Sequence, residues 1–220
     1  MRVLVIAAHP DDELLGVGGT VAMHARKGDE VVLAVMCEGV SVRYSPERHE
    51  EVRLQARKAA EILGAADLHL GDLPDQRLDT LAVSEVAAPV EDLVRKHSPD
   101  CIYTHFAGDI NRDHRVLAEA VLIAARPYSA PSVREILMFE TPSSTEWSSP
   151  QLAAPFQPNC YVDISPVLET KLAAFASYKA EIREYPHPRS FRALQERARY
   201  WGSLMNRPAA EAFVVSRVVR

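Results

Sequence analysis

Arg2-Val3-Leu4-Val5-Ile6-Ala7-Ala8-His9-Pro10-Asp11-Asp12-Glu13 is the stretch that decides how the chain is read. Its first seven residues are almost all apolar and rich in β-branched types. That is how a strand buried on both faces of a parallel sheet reads. Pro10 cannot donate to a sheet ladder and biases His9 away from helix, so the strand stops there. In an open α/β sheet, ligands gather at the carboxyl ends of strands. Three acids at such an end repel one another unless a positive charge sits among them, and a divalent metal ion is the obvious candidate.

Outward from this stretch the pattern alternates. A helix is expected over 14–27, with Gly28 as its C-terminal cap and glycines 16, 18 and 19 allowing close approach to the sheet. Residues 30–36 read as a second strand, 37–46 as a loop and 46–63 as a helix. A short strand at 68–70, a loop at 72–79 and an amphipathic helix at 82–97 follow. Residues 100–104 form another strand with a polar end, 113–126 a helix, and 134–140 a strand. Residues 141–158 are rich in Pro and Ser and long for a plain connection, which marks a functional loop. Then come a strand at 160–164, a helix over 166–182, a rigid turn at 184–190, a helix over 191–205 and a last strand at 212–219. Strand–helix alternation predicts an α/β fold, a Rossmann-like three-layer sandwich with a mostly parallel sheet, and no linker divides residues 1–220 into more than one domain.

The bulk composition excludes several classes. With 220 residues, 47% hydrophobic and 25% charged, the chain has the make-up of an ordinary globular domain. A net charge of −5, with Lys and Arg dispersed among acids, speaks against a nucleic-acid or anionic membrane partner. There is no apolar run of membrane-spanning length and no signal-peptide pattern. Cys37, Cys101 and Cys160 are odd in number and widely spaced, so they read as reduced thiols, and the expected location is cytoplasmic.

A catalytic zinc typically takes three protein ligands from His and Asp/Glu and keeps one position for water. His9 and Asp12 lie three apart on the loop leaving the first strand. His114 is the best third candidate, because it follows a strand expected to end on the same edge. Asp11, next to a ligand, is placed to act as general base on metal-activated water. Without a metal, the same residues would be a turn and a helix N-cap, with acids at the positive end of a helix dipole. His105 reads as a strand-end residue more than as a ligand. Asp75 and Asp109 are polar partners or loop caps.

Ala8-His9-Pro10-Asp11-Asp12-Glu13, followed by Gly16-Val17-Gly18-Gly19-Thr20, resembles the opening signature of the PIG-L/LmbE-like family, which contains zinc-dependent N-acetylglucosaminyl deacetylases. Asp113-His114 resembles its second metal motif. The stretches 59–64 and Glu211-Ala212-Phe213 fit as well, so the resemblance covers the whole chain. It implies the LmbE-like fold, with His9, Asp12 and His114 as zinc ligands and Asp11 as general base. The implied substrate is an N-acyl, chiefly N-acetyl, amino sugar or its conjugate. Many family members carry a histidine three residues before the second metal histidine; here Asn111 stands there. The charge-stabilising role then falls to His187 or Arg189 in the turn at 187–190, or to His105, with His187 expected as the second catalytic residue. Arg53, Asn111 and Arg189 are expected on the substrate side. Other divalent transition metals suit the same donors, and a homo-oligomer is the expected assembly.

Three other readings compete. A dinucleotide oxidoreductase fits the fold, but the glycines lie inside the helix and the turn carries acids where pyrophosphate would need bare amides. A magnesium phosphohydrolase would prefer oxygen ligands to two histidines. A non-catalytic metal- or sugar-binding protein would need neither Asp11 nor an open coordination position. An amidase acting on a non-sugar N-acyl molecule is the alternative within the same chemistry.

Overall fold

The computed structural model describes residues 1–39 and 47–220. The expected loop and helix start at residues 40–46 lie outside the described residues. Among those described, seven strands form one sheet. They are β1 (Arg2–Ala7), β2 (Glu30–Cys37), β3 (Asp67–Leu73), β4 (Cys101–His105), β5 (Glu135–Phe139), β6 (Cys160–Asp163) and β7 (Ala210–Val218). The helices are α1 (Asp12–Arg26), α2 (Glu47–Leu63), α3 (Val83–His97), α4 (Arg112–Ala124), α5 (Leu168–Phe175) and α6 (Phe191–Leu204). The strand order is β3-β2-β1-β4-β5-β7-β6. The first five strands are parallel, and β7 runs antiparallel to both its neighbours.

The period-2 alternation of β1 sends its side chains into two cores. Val3, Val5 and Ala7 pack with residues of α1, α2, α5 and α6 on one face. Leu4, Ile6 and Ala8 pack with α3 and α4 on the other. This is a three-layer α/β sandwich, as the alternation predicts. Gly16 answers the close approach of α1 to the sheet: a Cβ there would stand 2.2 Å from Phe139 Cδ2.

β1 pairs with β2 on one side and β4 on the other, so the order of connection reverses between β1 and β4. That is the switch point at which open α/β sheets bind ligands. The loops leaving β1 and β4 start from neighbouring strand ends, which brings residues 9–13 and 105–114 together.

One helix departs from expectation. The run 166–182 forms a short 3₁₀ turn at Ser165–Val167 and then α5, which ends at Phe175. The periodicity would allow another turn, but Tyr178 is taken inward to bond Glu13 and is 1% exposed. The last strand also begins earlier than expected, at Ala210, and slots between β5 and β6.

Candidate active site

The carboxyl edge of the sheet opens into a cavity of about 480 Å³ whose lining includes His9, Asp11, Asp12, Asp75, Asn111, Asp113, His114 and Arg189. On its floor the donor atoms of His9, Asp12 and His114 all lie within 4.8 Å of one another. Asp12 Oδ2 is 3.0 Å from His9 Nδ1 and 3.1 Å from His114 Nε2, and the two imidazole nitrogens are 3.3 Å apart. Two imidazoles and one carboxylate in a tight triangle are a donor set of the kind that catalytic metal sites use. These residues fit a divalent transition metal ion.

The electrostatics favour a cation there. Burial works against a charged His9, yet its hydrogen bonds to Asp113 and Asp12 push its pKa up to about 10. Burial also opposes ionisation of Asp12, but the neighbouring imidazoles, His114 first, hold its carboxyl well below the usual range. The acids around this floor therefore favour a positive charge at its centre.

Outer residues orient the candidate ligands. His9 Nε2 lies 3.0 Å from Asp113 Oδ2, and Asp113 Oδ1 accepts the Leu78 N–H at 3.0 Å. His114 Nδ1 is 3.3 Å from Asp109 Oδ1. Asp109 in turn accepts from the hydroxyls of Ser144 and Thr145 and from the Asn111 N–H. A carboxylate behind each imidazole is the usual support of a metal-binding histidine. Asp109 thereby ties the long loop after β5 to His114. His105 is held differently. Its Nε2 accepts the Ala8 N–H at 2.9 Å, which leaves Nδ1 as the donor towards Thr141 Oγ1 at 3.2 Å. Its ring stacks on His114 with centroids 3.8 Å apart. Burial and the His114 charge keep it neutral, well below the ordinary histidine value. This geometry makes it a support for the metal-side histidine.

Asp11 is the N-cap of α1, yet its side chain makes no capping bond. Its carboxylate meets Arg189 Nη1 at 2.9 Å instead. Its backbone sits at φ 101°, a strained conformation for a residue with a Cβ. Glu13 accepts the Asp11 N–H at 3.0 Å and is itself bonded by the Tyr178 hydroxyl, which fixes this geometry. Burial raises the Asp11 carboxyl well above its ordinary value, against the pull of Arg189 and with further push from Asp12. Gln76 and Ser143, two other lining residues, also have positive φ. Strain of this kind, at a cost of about 1–3 kcal/mol per residue, gathers at functional sites.

The remaining expected residues divide. Asn111 lines the cavity, but its carbonyl is committed to capping α4 through the Asp113 N–H at 2.9 Å. Arg189 lines the cavity and is fixed by Glu181 at 2.8 Å and by Ser143 Oγ at 2.7 Å as well as by Asp11. His187 is not among the lining residues; its Nδ1 accepts the Arg189 N–H at 3.1 Å and its ring stands edge-on to Trp147. Arg53 is not among them either. It faces the Leu70 carbonyl at 3.3 Å and Asp72 at 3.5 Å, while Glu51, Val52 and Gln55 of the same helix line the cavity. α2 lies where the pattern predicts, and the residues it presents to the cavity flank Arg53, since a shift of two positions turns a helical side chain by about 200°. Asp113 and the Glu13–Tyr178 pair carried no assigned role in the sequence reading. Asp113 sits beside His114 in the motif, but only the fold shows that it backs His9.

Comparison with known proteins decides the family. Residues 4–125 match the PIG-L family of GlcNAc-PI de-N-acetylases. The chain belongs to that family. It is 32% identical over 186 residues to the uncharacterized deacetylase YaiS of Escherichia coli, covering 81% of this chain and 90% of that protein. It is 30% identical over 197 residues to the diacetylchitobiose deacetylase of Thermococcus kodakarensis, covering 83% of this chain and 71% of that one. The fold itself is shared more widely. The 4-carboxy-2-hydroxymuconate hydratase GalB of Pseudomonas putida superposes with a TM-score of 0.77 at 21% identity, over the whole of this chain and 98% of that one. Fold alone therefore does not select amide hydrolysis; family membership does, and this PIG-L chain is an amide-hydrolysing enzyme. No helix among its described residues is long and apolar enough to cross a membrane.

Proposed function

We propose that this PIG-L chain is a zinc-dependent N-deacetylase acting on an N-acetyl amino sugar or amino-sugar conjugate. The observation that carries this reading is the convergence of His9, Asp12 and His114 on the cavity floor, with the strained, non-capping Asp11 beside them. His9, Asp12 and His114 would hold the metal. A zinc ion bound there supplies water of lowered pKa, towards ~7, and a Lewis-acid contact for the acyl oxygen.

The protein's own residues account for the proton path. Asp11, with a carboxyl raised by burial, accepts a proton from the attacking water. As the carbon–nitrogen bond breaks, the same carboxyl returns that proton to the leaving amine. Arg189 is the cation held against Asp11. Of the three residues named for charge stabilisation, it alone lines the cavity, since His187 lies off the lining and both His105 nitrogens have partners. Arg189 therefore takes the role of steadying negative charge on the carbonyl oxygen. Asn111 contributes on the substrate side from the N-terminus of α4. The cavity is large enough for a sugar ring with its acyl group. Sugar preference rests on the relatives, of which the Thermococcus protein is named for diacetylchitobiose. The three unpaired cysteines support a reducing, cytoplasmic setting.

The test is acetate release from a panel of N-acetyl sugars and their conjugates, using protein of known metal content before and after chelation. The expected result is release that chelation abolishes and zinc restores. Protein with one bound metal per chain and no release from any N-acetyl compound would overturn the reading in favour of a non-catalytic binding role.

A further inference from the structure

His9 has a second side. Its Nδ1 faces Asp12 and His114, while its Nε2 faces Asp113, Asp75 and, at 3.1 Å, the Gln76 side-chain amide, with Cys37 in the same neighbourhood. The donor atoms of His9, Cys37 and Asp113 lie within 4.8 Å of one another. Asp113 Oδ2 is 3.0 Å from Nε2 and Asp75 Oδ1 is 3.2 Å from it. Cys37 is 2% exposed, Asp113 1% and Asp75 5%. The topology explains the grouping. Cys37 ends β2, Asp75 follows β3, His9 follows β1 and Asp113 opens α4, so four carboxyl-edge segments meet behind one imidazole.

We propose that Cys37 Sγ, Asp113 and His9 Nε2, with Asp75 beside them, form a second site for a soft divalent cation such as zinc or cadmium, back to back with the first across the His9 ring. Thiolate and imidazole select a soft metal over magnesium or calcium. Entry of the metal displaces the thiol proton of Cys37 and the Nε2 proton of His9, both of which go to solvent. It also takes Nε2 away from its hydrogen bond to Asp113, the bond that orients the ring for the first site. The second metal thus strips the His9 ring of its orienting bond, and excess soft metal inhibits the enzyme by weakening the first site. The first site rests on the proposed function above; the second does not need it, because its signal is optical.

The experiment titrates cadmium into protein already carrying one zinc per chain, reading the ultraviolet thiolate-to-cadmium charge-transfer band. The expected result is a band that saturates near one added equivalent, persists in the Cys101→Ala/Cys160→Ala double variant and is absent from Cys37→Ala. With each variant normalised to its own uninhibited rate, the zinc concentration for half-inhibition rises at least tenfold in Cys37→Ala. No band in the wild-type protein would overturn the proposal. So would a band lost in the Cys101/Cys160 double variant, which tests the site even if Cys37→Ala fails to fold. A chain that releases no acetate yet shows the Cys37 band would refute the proposed function and leave the second site standing.

Discussion

Helix α1 touches two buried charge clusters built on opposite plans. At its middle, the Glu211 carboxylate accepts the backbone N–H groups of Gly19 and Thr20 at 2.9 and 2.7 Å. Lys171 Nζ closes that cluster, donating to Glu211 at 2.6 Å and to the Leu15 carbonyl at 2.9 Å. One anion meets one cation, and the cluster stitches α1, α5 and β7 together. At the N-terminus of α1, by contrast, Asp11, Asp12, Asp75 and Asp113 crowd around His9 and His114, with Arg189 as the cation on Asp11. That cluster opens into the cavity. A balanced, closed cluster holds the fold. An unbalanced, open one favours a cation. Buried charge by itself does not distinguish structure from function; the balance of charge and the access of solvent do.

Five measurements break or sharpen this contrast. The largest effect is expected from Asp11→Asn, which keeps the shape of the carboxyl group and removes its basicity. Turnover should fall about 10²–10⁴-fold with bound metal unchanged, read by acetate release and metal analysis of the same sample. Glu211→Ala strands a buried lysine in the closed cluster. A loss of about 3–5 kcal/mol is expected from urea unfolding, with Glu211→Ala/Lys171→Met recovering most of it. Equal stability of the single variant and the parent would show that the closed cluster is not structural.

Asp113→Asn acts on the open cluster without touching a proposed first-site donor. Metal affinity should drop about 10–100-fold, measured by competition with a chelator. Tyr178→Phe removes the hydroxyl that bonds Glu13 and so loosens the support of Asp11; a change of about 1 kcal/mol in thermal stability is expected, with a fall in kcat and little change in KM. Arg53→Ala should be nearly silent, with kcat and KM within about twofold of the parent, because its ion pair with Asp72 is a surface one. A large KM increase would instead put Arg53 at the substrate.

Residues 2–13 made the centre of the molecule legible. Apolar β-branched residues ending on Pro10 locate the end of a strand, and acids just beyond it locate the electrostatic need. The Asn111–His114 stretch was legible for a similar reason: it is short, polar and sits at a strand end. The face of α2 was less legible. Arg53 and Gln55 are two positions apart, and weak patterning did not say which faces the cavity. The end of α5 was misread because the bond from Tyr178 to Glu13 spans 165 residues. Local periodicity carries no record of such a partner.

The sequence by itself determined the α/β alternation and the strand-end placement of the candidate residues His9, Asp12 and His114, because each segment is read from its own short-range pattern of apolar strand and polar end. Only the tertiary structure decided the rest. It set the insertion of β7 between β5 and β6, the pairing of Arg189 with Asp11 and the two-sided setting of His9. It also turned His105 into a neutral support and put Arg53 and His187 off the lining. These depend on which distant segments share a face, and that is settled when a whole chain finds the packing that buries its apolar surfaces and satisfies its buried polar groups together.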